Sequence, residues 1–258
     1  MRRIGWIAAG LVIVLAGRAD ALLYLAEGSL ESMLVRSGTV VIATVETVDG
    51  DSATLKVAET FKGKAEATLA VRGVNLRITS EQSKARFAKG ETAVVFLTTT
   101  ANGTLAIVYS QTLPSEGEVK SMKGCVAEVL PFAETLNDLG NPKKEVNQEQ
   151  VVEAVKVLEA SRNGYTQVAM GRWMGTVLAK RLKPETCTEQ IAEAINTGRN
   201  ELQLGAIQWA RAYQELPASV RTALEKQEKG SKSKAVAEAA ANALTEAKKK
   251  APDTRPGA

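Results

Sequence analysis

The chain reads SGTVVIATVETVDGDSATLKVAETFKGKAEATLAVRGV over residues 37–74 and, after a polar connector, FAKGETAVVFL over residues 87–97. Apolar residues alternate with polar ones through much of this stretch, and VDGDS (48–52) and FKGK (61–64) interrupt the alternation with turn residues. A period of two is typical of strands, and Asp-Gly is a hairpin signal. The stretch therefore predicts a small antiparallel sheet.

The same alternation, continued past Asn102-Gly103, predicts five strands: 39–48, 53–58, 67–72, 92–98 and 105–109. The first strand is apolar on both faces, so we expect it to be covered on both sides, with a lead-in helix after Ser29 as the second cover. A longer connector, residues 75–89, follows the third strand. Five short strands with one long connection match a partly open barrel of the OB type.

The order of three motifs resembles that of the OB-like fold shared by tissue inhibitors of metalloproteinases and netrin-type modules, over residues 36–110: RSGTVVIATV (36–45), AETFKGK (58–64) and FAKGETAVVFL (87–97). In the inhibitor family an exposed amino-terminal cysteine reaches the zinc of the protease. This chain has no cysteine before Cys125. The resemblance therefore implies the fold without the inhibitory activity.

Beyond residue 140 the apolar period changes from two to about 3.6, which is typical of amphipathic helices. Six helices are predicted there. We therefore expect an α+β chain of two domains, a five-stranded OB-like barrel over residues 22–139 and an all-α domain over 140–250, with a disordered tail over 251–258. Residues 114–131 are expected to form a polar loop or short strand, and 136–144, which include Asn-Pro, a linker.

The end of the helical part resembles the helix pairs of HEAT-type repeats in three segments: ELQLGAIQWA (201–210), LPASVRTAL (216–224) and AVAEAAANAL (235–244). Such repeats have a period of about 40 residues, which these segments fit approximately. Helix stacking without true repeats is the alternative.

The amino terminus fits a secretory leader over residues 1–21: a basic start, an apolar run from Ile4 to Gly17, and small residues around Asp20. An uncleaved membrane anchor is the alternative, but the run is shorter than the roughly 20 residues that span a bilayer. We expect an exported chain, periplasmic or extracellular, that starts near Leu22 and has no membrane span after cleavage. Removing three arginines and one aspartate lowers its formal net charge from +4 to +2, which weakens any argument for nucleic-acid binding.

Because the chain contains no histidine, catalysis by Ser-His-Asp or Cys-His and zinc bound by histidine are excluded. No phosphate-binding or dinucleotide-binding glycine motif is present, so no cofactor is predicted. Two candidates for catalytic groups remain: a carboxylate pair among Glu46, Asp49, Asp51 and Glu59, and a serine beside Lys84. Both are better explained as solvated surface.

Two cysteines, Cys125 and Cys187, would meet an oxidising compartment after export. A disulfide between them would join the two halves of the chain. Two buried free thiols are the alternative, because the sequence does not give the distance between the two cysteines.

The sequence therefore predicts a non-catalytic binding or scaffold protein whose partner is another protein. The charged connector is the predicted contact loop, through Arg77, Glu81, Lys84, Arg86 and Lys89. A plain solvated loop is the alternative there. The competing functions are an envelope hydrolase that uses a carboxylate pair and an OB-type binder of oligosaccharide or nucleic acid.

Overall fold

The computed structural model describes residues 29–73 and 87–250 of the chain. Within these ranges a five-stranded sheet is followed by helices, which confirms the α+β class. The strands are β1 (Thr39–Asp49), β2 (Ser52–Lys62), β3 (Thr68–Arg72), β4 (Thr92–Thr99) and β5 (Leu105–Thr112). The predicted leader, residues 1–21, and the tail, residues 251–258, lie outside the described residues.

The described helices comprise the predicted lead-in helix, the six that were predicted beyond residue 140 and three more. They are α1 (Leu30–Arg36), α2 (Glu116–Val129), α3 (Ala133–Gly140), α4 (Gln148–Glu159), α5 (Gly164–Trp173), α6 (Ala179–Arg181), α7 (Thr188–Thr197), α8 (Asn200–Ala210), α9 (Ala218–Gly230) and α10 (Lys234–Lys250). A π-helical segment, Met174–Leu178, joins α5 to α6. Short 3-10 turns cover Leu130–Phe132 and Pro184–Cys187.

The strands pair in the order β1-β2-β3-β5-β4, and β4 pairs back to β1, so that the ring of strands closes. Four of the pairings are antiparallel, and β3 runs parallel to β5 for two residue pairs, Val71–Leu105 and Arg72–Ala106. Gly63 turns the chain between β2 and β3 with a φ of 76°. A Cβ atom there would overlap the backbone oxygen of Gly38, so only glycine fits this turn.

Successive residues of β1 face two different cores. Val41, Ala43 and Val45 point into the closed sheet and pack with inward side chains of the other strands. Val40 and Ile42 point outward into a larger core that also contains side chains from α1. The prediction that β1 is covered on both faces is confirmed, because alternate residues of a strand serve opposite sides.

The larger core runs from α1 through the outward faces of β1 and β4 to α10, so it includes residues on both sides of position 140. The predicted loop or strand over 114–131 is instead α2, whose buried Met122, Cys125, Val126 and Val129 recur at helical spacing. Most of the predicted linker belongs to α3, which buries Leu136 and Leu139. The division into domains at residue 140 stays a prediction.

Candidate functional site

A groove of about 450 Å³ lies between α1, α5 with its π-helical extension, and α8. We call it the α1–α5–α8 groove. Its lining is mostly apolar, with charged groups from all three helices. The lining residues are Ser29, Leu30, Glu31, Val168, Ala169, Gly171, Arg172, Trp173, Gly175, Thr176, Glu201, Leu204, Gly205 and Gln208.

Glycines set the distance between the two long walls of the groove. A Cβ atom at Gly205 would overlap the backbone carbonyl of Gly171, and one at Gly171 would overlap the carbonyl of Glu201. The backbones of α5 and α8 are therefore in direct contact at this crossing. The two helices run in the same direction, because their contacts advance together along both. The backbone amide of Arg199, before α8, donates to Oε1 of Gln167 in α5 at 3.1 Å, and Gly175, beyond the end of α5, lies against Gln208 near the end of α8. Small residues at such crossings let helices approach closely, and the side chains around them leave a groove.

The α5 wall of the groove continues into the π-helical segment Met174–Leu178. Met174 and Leu178 are buried in the core, whereas Gly175 and Thr176 line the groove. π-helical turns are rare and are frequently found at functional sites. The π-helical segment therefore supports a functional site here independently of the shape of the groove.

Glu31 brings a buried carboxylate to the groove. Its side chain is 7% exposed, and the indole Nε1–H of Trp173, 6% exposed, donates to Oε1 of Glu31 at 2.9 Å. Burial raises the pKa of Glu31, and hydrogen bonds from Ser29 and Trp173 together with the charge of Arg172 oppose that rise. Ser29 is the N-cap residue of α1, and its side chain makes no capping hydrogen bond to the helix backbone.

The charged groups of the lining are two carboxylates, Glu31 and Glu201, and one guanidinium, Arg172. Glu201 is half-buried in the first turn of α8, and Arg172 is exposed near the end of α5. The lining contains no cysteine and no lysine beside its one serine. This arrangement can bind an apolar group and hold a polar group next to it.

A second, more polar cavity of about 420 Å³ lies between α1, α3, the start of α4 and Lys62 of β2. The ammonium group of Lys62 donates to the backbone oxygens of Leu34 at 2.6 Å and Val35 at 3.3 Å. These are carbonyls of the last turn of α1, which lack partners within the helix. Lys62 therefore has a structural role, since it attaches the sheet to α1.

Cys125 and Cys187 are free thiols, and both are buried. Burial raises the pKa of Cys125 to about 12, and burial also raises the pKa of Cys187. A thiol with a raised pKa is a poor nucleophile. Neither residue lines the groove.

Four residues of the predicted contact loop, Arg77, Glu81, Lys84 and Arg86, lie outside the described residues, and so does the serine beside Lys84. Lys89 is described: it is exposed in the turn before β4 and does not line the groove. The contact loop stays a prediction.

The carboxylates of the first hairpin are not brought together in the groove. Glu46, Asp49 and Asp51 are exposed, and Glu59 forms an ion pair with Lys123 of α2, with 2.5 Å between Oε2 and Nζ. The described residues contain no group of three or more histidine, cysteine or acidic side chains placed to hold a metal ion. In the same part of the chain, no helix is both long and apolar enough to span a membrane.

The residues of the groove were not identified from the sequence. Gly171 and Gly175 have the Gly-x-x-x-Gly spacing of close helix contacts, a signal that was available. Glu31 lies beside Leu30 and close to Met33 in the lead-in helix. An acidic residue next to an apolar face is expected to be exposed to solvent. In the folded chain this carboxylate is buried and accepts a hydrogen bond from Trp173, which is distant in the sequence.

Comparisons of the chain with family models, with curated proteins and with solved structures found no match. Its function therefore has to be inferred from the groove and from the chemistry of its residues.

Proposed function

We propose that the chain is an exported, non-catalytic binding protein that acts through protein–protein contacts and uses the α1–α5–α8 groove as its contact site. The observation that carries this proposal is an apolar groove of about 450 Å³ at a glycine helix crossing. Binding sites in proteins are commonly concave and apolar, with volumes of about 300–1,000 Å³ and a few polar groups. A segment of a partner protein would place apolar side chains in it.

The walls of the groove support binding by a preformed site. The backbones of α5 and α8 are in contact, Trp173 hydrogen-bonds to Glu31, and α1 is held to the sheet by Lys62. The first two contacts fix one wall relative to another, and the third fixes α1 relative to the sheet. A rigid site loses little conformational entropy when a partner binds, which favours affinity.

We propose further that the five strands form an OB-like barrel, related in fold to the tissue inhibitors of metalloproteinases and netrin-type modules, and that the later helices form a separate, HEAT-like domain. The strand order and the parallel β3–β5 contact support the first part. Inhibition of metalloproteinases is not proposed. A protein partner is favoured over nucleic acid, because the exposed residues of β3 are Thr68, Ala70 and Arg72, which offer no aromatic ring for stacking bases.

Export is proposed from the leader-like sequence, and the site of action is then the periplasm or the extracellular space. In either place a small binding module meets partner proteins without ATP or a reducing environment. Contact through the groove needs neither.

A pair of matched variants tests the proposed site in the mature chain. Val168→Asp places a charge in the groove, and Val157→Asp places the same charge on α4, where Val157 is 43% exposed and outside the groove. Wild type and both variants are used to capture proteins from an envelope extract after mild cross-linking. We expect one partner to be recovered with wild type and Val157→Asp and lost with Val168→Asp, while circular dichroism shows all three folded.

Equal recovery of that protein by all three chains would show that the groove is not the contact site. Recovery of nucleic acid alone would reject a protein partner.

A further inference from the structure

We infer that the α1–α5–α8 groove recognises a basic amphipathic segment: apolar side chains of the partner occupy the groove, and a lysine or arginine beside them meets the carboxylates of Glu31 and Glu201. This inference rests on the proposed function and adds the chemistry of the partner.

The first step is the hydrogen-bonding capacity of Glu31. The indole Nε1–H of Trp173 donates to Oε1 of Glu31 at 2.9 Å. A carboxylate can accept about four hydrogen bonds. Acceptor capacity therefore remains for a ligand at a side chain that lines the groove.

The second step is the charge balance of the lining. Glu31 and Glu201 outnumber Arg172, whose charge already acts on Glu31. Glu31 has lost most of its contact with water, since it is 7% exposed. A carboxylate in such a place interacts with a cation more strongly than an exposed carboxylate does, because water screens the pair less. A basic side chain is favoured and an acidic one is repelled.

The third step is the apolar part of the lining. Leu204 of α8 and Val168 and Ala169 of α5 are half-buried there, so part of each side chain still contacts solvent. Covering this surface favours binding roughly in proportion to the apolar area removed from water. A short polar cation alone would leave it uncovered, whereas an amphipathic segment covers it and supplies the cation.

Three terminally blocked peptides test the inference against the full mature chain. They share the same leucine residues and differ at one position, which is lysine, glutamine or glutamate. Titration by calorimetry at low and physiological salt measures binding. We expect the lysine peptide to bind about tenfold more tightly than the glutamine peptide, with the glutamate peptide weakest, since a charge-assisted hydrogen bond is stronger than a neutral one.

Glu31→Gln is the matched variant, because its amide oxygen can still accept from the indole of Trp173. We expect it to remove most of the difference between the lysine and glutamine peptides and to keep the affinity for the glutamine peptide. Glu201→Gln is the second variant. If Glu31→Gln does not fold, the difference between the affinities of Glu201→Gln for the lysine and glutamine peptides tests the inference. A lysine preference that survives both variants would overturn the inference.

The two proposals fail in different ways. If the three peptides bind equally and Val168→Asp abolishes all binding, the groove is a contact site but not one for basic segments. If no peptide binds and Val168→Asp leaves partner capture unchanged, the proposed function itself is rejected.

Discussion

Glu159 is the last residue of α4, and its side chain is buried. Burial first and the charge of Glu193 second raise the pKa of Glu159 from 4.5 to about 7. The carbonyl ends of a helix also disfavour a negative charge at this position. Between pH 4.5 and about 7 the folded chain holds a proton that the unfolded chain has released, so the stability falls as the pH rises through this window.

Replacing Glu159 by glutamine removes this loss, since the amide does not ionise. We expect Glu159→Gln to be more stable than wild type by about 1–2 kcal/mol at pH 8.5, allowing for solvent screening, and equally stable at pH 4. Urea unfolding at the two pH values measures the difference. Glu153→Gln, on the exposed face of the same helix, is the control. Parallel pH profiles for Glu159→Gln and wild type would show that Glu159 does not carry the effect.

At the scale of elements, α5 and α8 show how few residues determine a helix crossing. Gly205 and Gly175 both lie in this contact, but their surroundings differ. A Cβ atom at Gly205 meets backbone, which cannot move aside, whereas one at Gly175 lies 3.4 Å from the Cα of Gly205, an ordinary contact. Glycine is therefore required at the first position and not at the second.

We expect Gly205→Ala to separate the two helices and to cost about 3 kcal/mol, the upper end of the usual cost of overpacking a core, because the added Cβ meets backbone. Gly175→Ala should be neutral or more stable by up to about 1 kcal/mol, because alanine favours helix over glycine. Thermal and urea unfolding of both variants provide the measurement. Similar losses of unfolding free energy for the two variants would show that the backbone contact at Gly205 does not determine this helix crossing.

The strands and the helices differed in how well they could be predicted. Asp49-Gly50 marks the first hairpin locally, and Gly50 does take a positive φ of 55° in that turn. The segments over α2 and α3 carry polar residues and a glycine that suggest a loop and a linker. They are helical because Met122, Val126, Leu136 and Leu139 are buried against distant residues, and such burial overrides local preference.

At the scale of the whole molecule, the larger core joins the outward face of the sheet to the helices. Ile42 of β1 is 1% exposed in that core, while Val41 beside it belongs to the separate core inside the sheet. Trp173 and Trp209, the tryptophans of the described chain, both lie on the helical side. Their fluorescence therefore reports unfolding of the helices.

We expect Ile42→Ala to lower the stability that this fluorescence measures by about 2–5 kcal/mol, the usual cost of truncating a buried isoleucine. Val41→Ala shows whether the core inside the sheet is coupled to the same transition. If the tryptophan transition is unchanged in Ile42→Ala, the larger core does not couple unfolding of the sheet to unfolding of the helices.

The α+β class, the five strands with their first hairpin and the six later helices follow from the sequence alone, because period and turn residues are local properties of the chain. The sequence also excluded histidine chemistry. Long-range packing is what buries Cys125 and Cys187 as free thiols and brings Glu31 beside Trp173, 142 positions further along. The groove could not be predicted, since its walls come from helices that meet only when the chain has folded.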